Sequence, residues 1–338
     1  MRVSVIINTY NYERFLAIAV DSALHQTHPD VEVIVVDDGS LDGSVALLKR
    51  YGAAITLVVK NNGGQGSAYN AGFERASGEL VIFLDADDWL YPAAAAEAAA
   101  VWRVGVVKVQ FRLGLVDESG APLGRYVPRS MHDHKALSLV QRFGCYGSPP
   151  GSGNAFAAGF LKKVLPLEAD RWRTAADTVP IVLAPLYGDI VSIPKILGAY
   201  RLHRRMSAED LLFNNAPEGL WQEFARIEDS KELVVTALSH QGTPLSRPLL
   251  LAPWECRIAT LCARFGGKSP APEALRARSR HLFRFTLHSI WQWPEWGWMH
   301  KLLLSCWTVV VLYAPNGLAR RLAVKHRQRS GVPEPGAG

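Results

Sequence analysis

Leu80-Val81-Ile82-Phe83-Leu84-Asp85-Ala86-Asp87-Asp88 is an apolar run that ends in three acids within four positions. A short unbroken apolar segment reads as a strand buried on both faces. Residues two apart on a strand point to the same side, so Asp85 and Asp87 should converge where the strand stops. Two such carboxylates repel unless a cation or a proton intervenes, and a hard divalent ion is held by one or two carboxylates plus substrate phosphates. Taken alone, the motif also fits a solvated turn at a strand end. The same grammar recurs upstream. Val3–Ile7 runs into Asn8-Thr9-Tyr10-Asn11, Val31–Val36 into Asp37-Asp38-Gly39-Ser40, and Ile55–Val59 leads to the polar stretch from Asn61 to Gly66. Between these strands, Glu13–Leu24, Val45–Tyr51 and Ser67–Ala76 carry helical periodicity. Alternating strands and helices predict an α/β fold, a mostly parallel sheet with helices on both faces. Ligands of such sheets bind beyond the carboxyl ends of the strands, where all of these polar clusters fall.

The 338-residue chain is 49% hydrophobic and carries a net charge of +6, composed for folding and not for disorder. The charge is unevenly spread: −7 over residues 1–100, +3 over 101–230 and +10 over 231–338. A uniformly basic nucleic-acid binder is not built this way, and no nucleic-acid partner is expected. The four cysteines lack metal-binding or disulfide-framework spacing. The apolar run at the N-terminus is shorter than a signal-peptide core, which leads us to expect a cytoplasmic protein.

After residue 105 the pattern is mixed. Val106–Leu115 reads as a strand, Phe160–Leu165 and Thr174–Ala184 as helices, and Asp189–Leu202 as two short strands. Beyond 215 only helical segments follow, at 217–240, 249–265, 271–290, 299–313 and 316–327, punctuated by Gly266–Pro272. The expected organisation is a first domain over 1–210, a helical C-terminal region over 211–330 and a disordered tail over 331–338. Thr174-Ala175-Ala176-Asp177 also has the form of a helix-capping box, with Thr174 as N-cap.

Together, Val3–Asn11, Val33–Ser40, Asn61–Gly72 and Leu80–Asp88 resemble the family 2 glycosyltransferases, inverting enzymes of the GT-A (Rossmann-like) fold. The likeness continues more loosely through Gly153-Asn154, Ala176-Asp177 and Tyr200-Arg201-Leu202-His203, so it covers about residues 1–205. It implies a metal-dependent, Mn²⁺- or Mg²⁺-using enzyme that moves a sugar from a nucleotide-diphospho-sugar to a glycan or lipid-linked acceptor. On this resemblance Asn8, Thr9, Tyr10 and Asp38 hold the nucleotide base, with Tyr10 stacking on it and Asp38 accepting its N–H. Gly66 and Asn70 lie near the ribose and diphosphate, beside a helix N-terminus that favours anions. Asp85 and Ala86 contact the sugar nucleotide, and Asp87 and His203 hold the metal. Asp177 is the base that deprotonates the acceptor, with Asp170 and Asp189 the nearest substitutes, and Asn154 lines the acceptor cleft; Trp172 is either an aromatic platform for a sugar ring there or a core residue. Tyr69 stands where many relatives carry a basic residue, and Ala176 where many carry Glu. Gly64-Gln65-Gly66 does not continue into a dinucleotide-binding fingerprint, because position 69 is tyrosine. No Gln-x-x-Arg-Trp motif follows, so non-processive transfer is expected. The competing reading is a non-catalytic sugar-nucleotide-binding module acting through its helical end.

Five tryptophans (Trp291, Trp293, Trp296, Trp298 and Trp307) flank the apolar run Leu302–Ala314, with Lys301 before it and Arg320, Arg321, Lys325, Arg327 and Arg329 after it. The cluster Arg276, Arg278, Arg280 and Arg284 precedes them. Thirteen helical residues reach about 20 Å, short of the ~30 Å hydrocarbon core. Aromatic and basic residues around a short apolar helix describe an interfacial element on anionic lipid. This predicts a peripheral protein on the cytoplasmic face of the inner membrane, touching lipid through 290–330 and serving a surface-polysaccharide precursor. Packing of the same helix on the protein or across a homodimer is the competing arrangement.

Overall fold

Val3–Thr9 (β1) is buried along its whole length apart from a partly covered Asn8, as its run of β-branched residues requires. The structure, a computed structural model, describes residues 1–203, 216–265 and 282–330. The expected domain boundary at 210/211 lies outside the described residues, as do 271–281 with Arg276, Arg278 and Arg280, the Gly266–Pro272 break and the 331–338 tail. The chain divides into two units, one of residues 1–138 and 146–203, the other of residues 139–145 and 204–338.

In the first unit, β1 lies between Val31–Asp37 (β2) and Leu80–Asp85 (β4), and Thr56–Val59 (β3) pairs with β2, all parallel. Glu13–Leu24 (α1) buries Leu16, Ala19, Val20 and Ala23, the i, i+3, i+4, i+7 set read from the sequence. These pack with Val3, Val5 and Ile7 in one core cluster. The alternate residue, Ile6, meets Gln65–Phe73 (α3) on the other face, beside Gly72. Ser44–Lys49 (α2) joins β2 to β3.

Past β4 the sheet becomes mixed. Its order is β3-β2-β1-β4-β8-β6-β9-β5, with β7 paired to β6. Trp89–Leu90 (β5), Val106–Val116 (β6), Pro122–Val127 (β7), Asn154–Ala157 (β8) and Asp189–Arg201 (β9) supply the added strands. Antiparallel β8 bridges β4 and β6, and β9 runs parallel to β6. The parallel character read from the first ninety residues therefore belongs to β1–β4. Asp189–Arg201 is one strand, not two. Ile193 pairs with Phe111 and Ile196 with Arg112, so Pro194 and Lys195 bulge out, as expected of a residue that cannot donate to the ladder. Ala94–Val101 (α4), Ala136–Phe143 (α5), Ala158–Val164 (α6) and Thr178–Leu183 (α7) complete the helices.

The second unit is helical: Ala216–His240 (α8), Pro253–Phe265 (α9), Leu282–Gln292 (α10), Trp298–Tyr313 (α11) and Asn316–Ser330 (α12). Its core gathers Leu220, Phe224, Leu251, Cys256, Ile290 and Val311. Lys231 and Glu255 form an ion pair at 2.7 Å inside it, with the ammonium also donating to the Leu250 carbonyl at 3.0 Å. The tryptophan cluster is split. Trp293 is buried and Trp296 and Trp307 pack against the core, whereas Trp291 and Trp298 are exposed.

A methyl group on Gly72 would sit 2.4 Å from Ile6 Cγ2 and 3.2 Å from Val36 Cγ2, both held by the sheet. Gly72→Ala is expected to destabilise the protein by about 1–3 kcal/mol through overpacking, read as a lower urea midpoint at unchanged slope.

Candidate active site

Register places the acids. Thr9 lies opposite Asp37 and Asn8 opposite Asp85, so the carboxyl ends of β1, β2 and β4 open onto one cleft of about 470 Å³. Asn8, Thr9, Tyr10, Asp38, Asp85, Ala86 and Asp87 line it from the strand ends, and Arg173, Thr174 and Ala175 face them. The side-chain oxygens of Asn8 and Thr9 are buried without a hydrogen-bond partner, as expected where a ligand completes the bonding.

The three acids of the motif part company. The chain turns at the end of β4, where the Asp88 N–H donates to the Asp85 carbonyl at 3.1 Å, so strand pleating does not govern their direction. Asp85 accepts from Asn8 Nδ2 at 3.3 Å and Gln65 Nε2 at 3.2 Å. Burial first, then the Asp177 and Asp87 charges, push its carboxyl up to about 7. Asp88 is sealed in: its Oδ2 accepts from Ser152 Oγ at 2.6 Å and its Oδ1 from the Arg201 N–H at 3.0 Å. Burial and then Asp85 and Asp87 hold it well above the carboxylate range. Asp87 Oδ2 lies 2.6 Å from His203 Nε2. The β5–β9 pairing of Trp89 with Ala199 brings these two residues together. Arg201, between the strand and His203, donates to the Asp87 carbonyl at 2.9 Å and stacks over Phe15 at 4.4 Å.

Among the described residues no group of three or more His, Cys, Asp or Glu is arranged to hold a metal by itself. Asp87 and His203 offer one carboxylate and one imidazole. That donor set fits a Mn²⁺ or Mg²⁺ ion whose remaining positions come from water and a diphosphate.

Asp177 stands immediately before α7. The expected capping box does not form: the helix begins at Thr178, Ala175 takes φ 57°, and Thr174 is an exposed residue of the preceding loop. The Asp177 carboxylate lies beside Gly151, where a Cβ would be 3.2 Å from its Oδ2. Burial raises its pKa, opposed by the N–H groups of Gly151, Asp177 and Thr178 and by the Lys108 charge.

The other expected site residues fall into two groups. Tyr10 is 42% exposed at the cleft rim, available for stacking. Asp38 lines the cleft but already accepts from Lys60 Nζ at 2.6 Å and from the N–H groups of Gly63 and Gly64 at 3.0 and 2.6 Å. Gly66 is buried against the Trp172 carbonyl. It and Gln65 donate their N–H groups to Trp172 and Arg173 at 2.8 and 2.9 Å, so the α3 N-terminus spends these donors on the protein. Asn70 is absent from the cleft lining; its amide makes a paired bond with the Leu167 backbone at 2.9 and 2.8 Å. Asn154 is fully buried, donating to the Pro150 carbonyl at 2.8 Å, and Trp172 is 5% exposed, leaving no open ring face for a sugar. Tyr69 stacks on Phe83 in the core at 3.9 Å.

Two cleft residues had no role in the sequence reading. Gln65 links Asp85 to the Ala176 N–H, which it accepts at 2.9 Å. Arg173 supplies a cation, with its Nη2 2.6 Å from Asn62 Oδ1. The only signals were a glutamine between two glycines and an arginine beside Trp172.

An open α/β sheet presents its ligand site at the carboxyl ends of its strands, where this acidic cleft lies. Residues 4–131 match Glycosyl transferase family 2, a match that lies within the first unit. It is 36% identical over 210 residues to an uncharacterized glycosyltransferase of Nostoc sp., covering 60% of this chain and 65% of that protein. It is 33% identical over 146 residues to the poly(ribitol-phosphate) β-N-acetylglucosaminyltransferase TarS of Staphylococcus aureus, covering 41% of this chain and 25% of TarS. The chain thus spans less than two thirds of the length of these relatives. The crystal structure of S. aureus TarS 1–349 in complex with UDP aligns over 98% of this chain and 92% of that one, at TM-score 0.50 and 20% identity, a likeness of fold.

Asn70→Ala should remove both bonds to Leu167 and strand a buried carbonyl and N–H. A loss of about 1–3 kcal/mol in urea unfolding is expected. An unchanged midpoint would return Asn70 to the list of ligand contacts.

Proposed function

We propose that this protein is a metal-dependent, inverting, non-processive glycosyltransferase that takes its sugar from a nucleotide-diphospho-sugar, a UDP-sugar being favoured. The observation that carries the reading is the meeting of Asp85 and Asp87 with the Arg173–Ala175 loop across one cleft, with Asp177 two residues beyond that loop. TarS, a family relative, has been crystallised with UDP, which favours uridine.

Tyr10 stacks on the base, and Asp38 orders the loop from Lys60 to Gly64 while presenting the acceptor edge of its carboxylate. Asn8 and Gln65 orient Asp85 toward the sugar. Asp87 and His203 hold Mn²⁺ or Mg²⁺, which when bound neutralises charge on the departing diphosphate; the imidazole biases the choice toward Mn²⁺. Arg173 adds a positive charge to the same wall. The acceptor hydroxyl attacks the anomeric carbon from the face opposite the diphosphate, its proton passing to Asp177 as the new C–O bond forms and the bond to the diphosphate breaks. A single base and a single displacement invert the anomeric centre. The raised pKa of Asp177 makes it a better proton acceptor than an ordinary surface carboxylate.

The acceptor in this reading is a lipid-linked or surface-polysaccharide precursor, met at the cytoplasmic face of the inner membrane. No helix among the described residues is long and apolar enough to cross a membrane. The exposed side of α11 instead presents Trp298, Met299, Leu302, Leu303, Val309 and Tyr313, at 66, 56, 44, 63, 39 and 68% exposure. Their i, i+3, i+4 spacing makes one continuous apolar face. Residues 296–333 contain no Asp or Glu but six Lys and Arg. Such a patch repels a second copy of itself and complements an anionic bilayer.

Calorimetry with UDP should show Mn²⁺-dependent binding that Asp87→Ala abolishes; equal binding by both proteins overturns the metal assignment. Asp177→Asn should retain that binding and lose transfer by about 10²–10⁴-fold, which also separates an enzyme from a binding module. In flotation with vesicles containing phosphatidylglycerol, the protein should rise with the lipid and the Leu303→Asp variant should stay behind. Equal behaviour of the two, or flotation with neutral vesicles alone, overturns the membrane reading.

A further inference from the structure

Lys108, on β6, is 0% exposed in the core of the catalytic unit, and no acid among the described residues forms an ion pair with it. Its Nζ lies 2.6 Å from Ser148 Oγ, 2.8 Å from Tyr146 Oη and 3.0 Å from Gln110 Oε1, with the Tyr146 ring 4.9 Å away. A lysine buried among neutral groups is expensive and calls for a reason.

The hydrogen bonds of its neighbours bear on its charge. The Tyr146 hydroxyl donates to the Ile181 carbonyl at 2.9 Å. The Gln110 amide nitrogen donates to the His132 carbonyl and to Ser192 Oγ, both at 2.9 Å, which turns its oxygen toward Lys108. The Ser148 hydroxyl donates to the Pro149 carbonyl at 3.2 Å or to Asn154 Oδ1 at 3.4 Å. All three oxygens that meet Nζ therefore act as acceptors. A neutral amine has two hydrogens to give and an ammonium has three.

Two of these bonds, to Ser148 and Tyr146, lead to the two walls of one socket. Ser148 and Asn154 fix the Pro149–Gly151 turn, whose Gly151 touches the Asp177 carboxylate. Tyr146 fastens Ile181, in the helix that Asp177 heads. We infer that Lys108 is a positioning residue for catalysis: a core ammonium that holds the two walls around Asp177 and whose charge keeps that carboxylate ionised.

Burial drives the Lys108 ammonium toward the amine and Asp177 opposes it; reciprocally, Lys108 lowers the Asp177 pKa against burial. Asp85 and the Tyr69 phenol also sense Asp177, and the Tyr146 phenol faces Lys108. The kinetic half of the inference rests on Asp177 being the base; the charge state of Lys108 does not.

The test has two arms. Nitrogen NMR of protein carrying ¹⁵N-lysine, with the Lys108→Met spectrum assigning the resonance, should show an ammonium at pH 7; an amine signal overturns the proposal. In the second arm, hydrolysis of UDP-glucose or UDP-N-acetylglucosamine is followed against pH, with water as acceptor. Lys108→Met should lower kcat at least tenfold with KM for the donor within about twofold. Its acid limb should move up by about one pH unit, as expected on loss of a nearby opposite charge. Unchanged kcat and an unmoved limb overturn the positioning role. Tyr146→Phe and Ser148→Ala each delete one acceptor and keep the lysine. They should shift the limb in the same direction by less, and serve where Lys108→Met does not fold. Should Asp177→Asn retain transfer while Lys108 is an ammonium, the base assignment fails and the charge assignment stands.

Discussion

Like charges brought into a poorly solvated space are the constraint that the rest of the first unit answers. Burial first, then the charges of Asp177 and Asp87 on Asp85 and of Asp85 and Asp87 on Asp88, drive these two acids above the ordinary carboxylate range. Each acid receives a different partner: amides for Asp85, a hydroxyl and a backbone N–H for Asp88, an imidazole for Asp87, and backbone N–H groups with a remote ammonium for Asp177. None of the four is neutralised by a direct salt bridge to Lys or Arg among the described residues. That leaves a cleft lined by carboxylates, the environment to which the proposed cation and diphosphate are suited.

Much of the sheet is devoted to holding these partners apart. Strand β9 reaches past β6 to bring Arg201 and His203 to the acids, and the two-residue β5 exists to receive it. The loop 148–154 lies beneath, with Ser152 bonded to Asp88 and accepting the Asp85 N–H at 3.2 Å. Antiparallel β8 anchors that loop between β4 and β6.

The parts legible in the sequence were those written in a local period. β1, α1, β2 and β4 stand where their apolar patterns put them, and the polar clusters at their ends meet as parallel pairing demands. The cleft positions of Asn8 and Asp85 follow from that pairing, whereas Asp87 lies past a turn that the apolar pattern does not specify. What could not be read came from long-range pairing. Asn70 and Asn154 look like polar ligands in sequence, yet each is consumed by backbone groups, Asn70 by Leu167 far along the chain. Thr174-Ala175-Ala176-Asp177 has the spacing of a cap, but the left-handed turn at Ala175 delays the helix to Thr178. Gln65 and Arg173 carry no signature of their own, because their value lies in where the two loops meet. Trp291 and Trp298 fall on exposed helical positions, whereas Trp293, just past the end of α10, is buried.

The close approach of Gly64 and Gly66 to the Arg173 and Trp172 backbone has a practical corollary for altering specificity. A Cβ at either glycine would come within 2.8 Å of that backbone. The turn at 64–66 and the loop at 172–173 are thus mortised together at main-chain distance. Exchange of the variable region between homologues will transplant cleanly only if residues 63–66 travel with 172–176. A chimera that divides them would part the two loops and open the cleft between them.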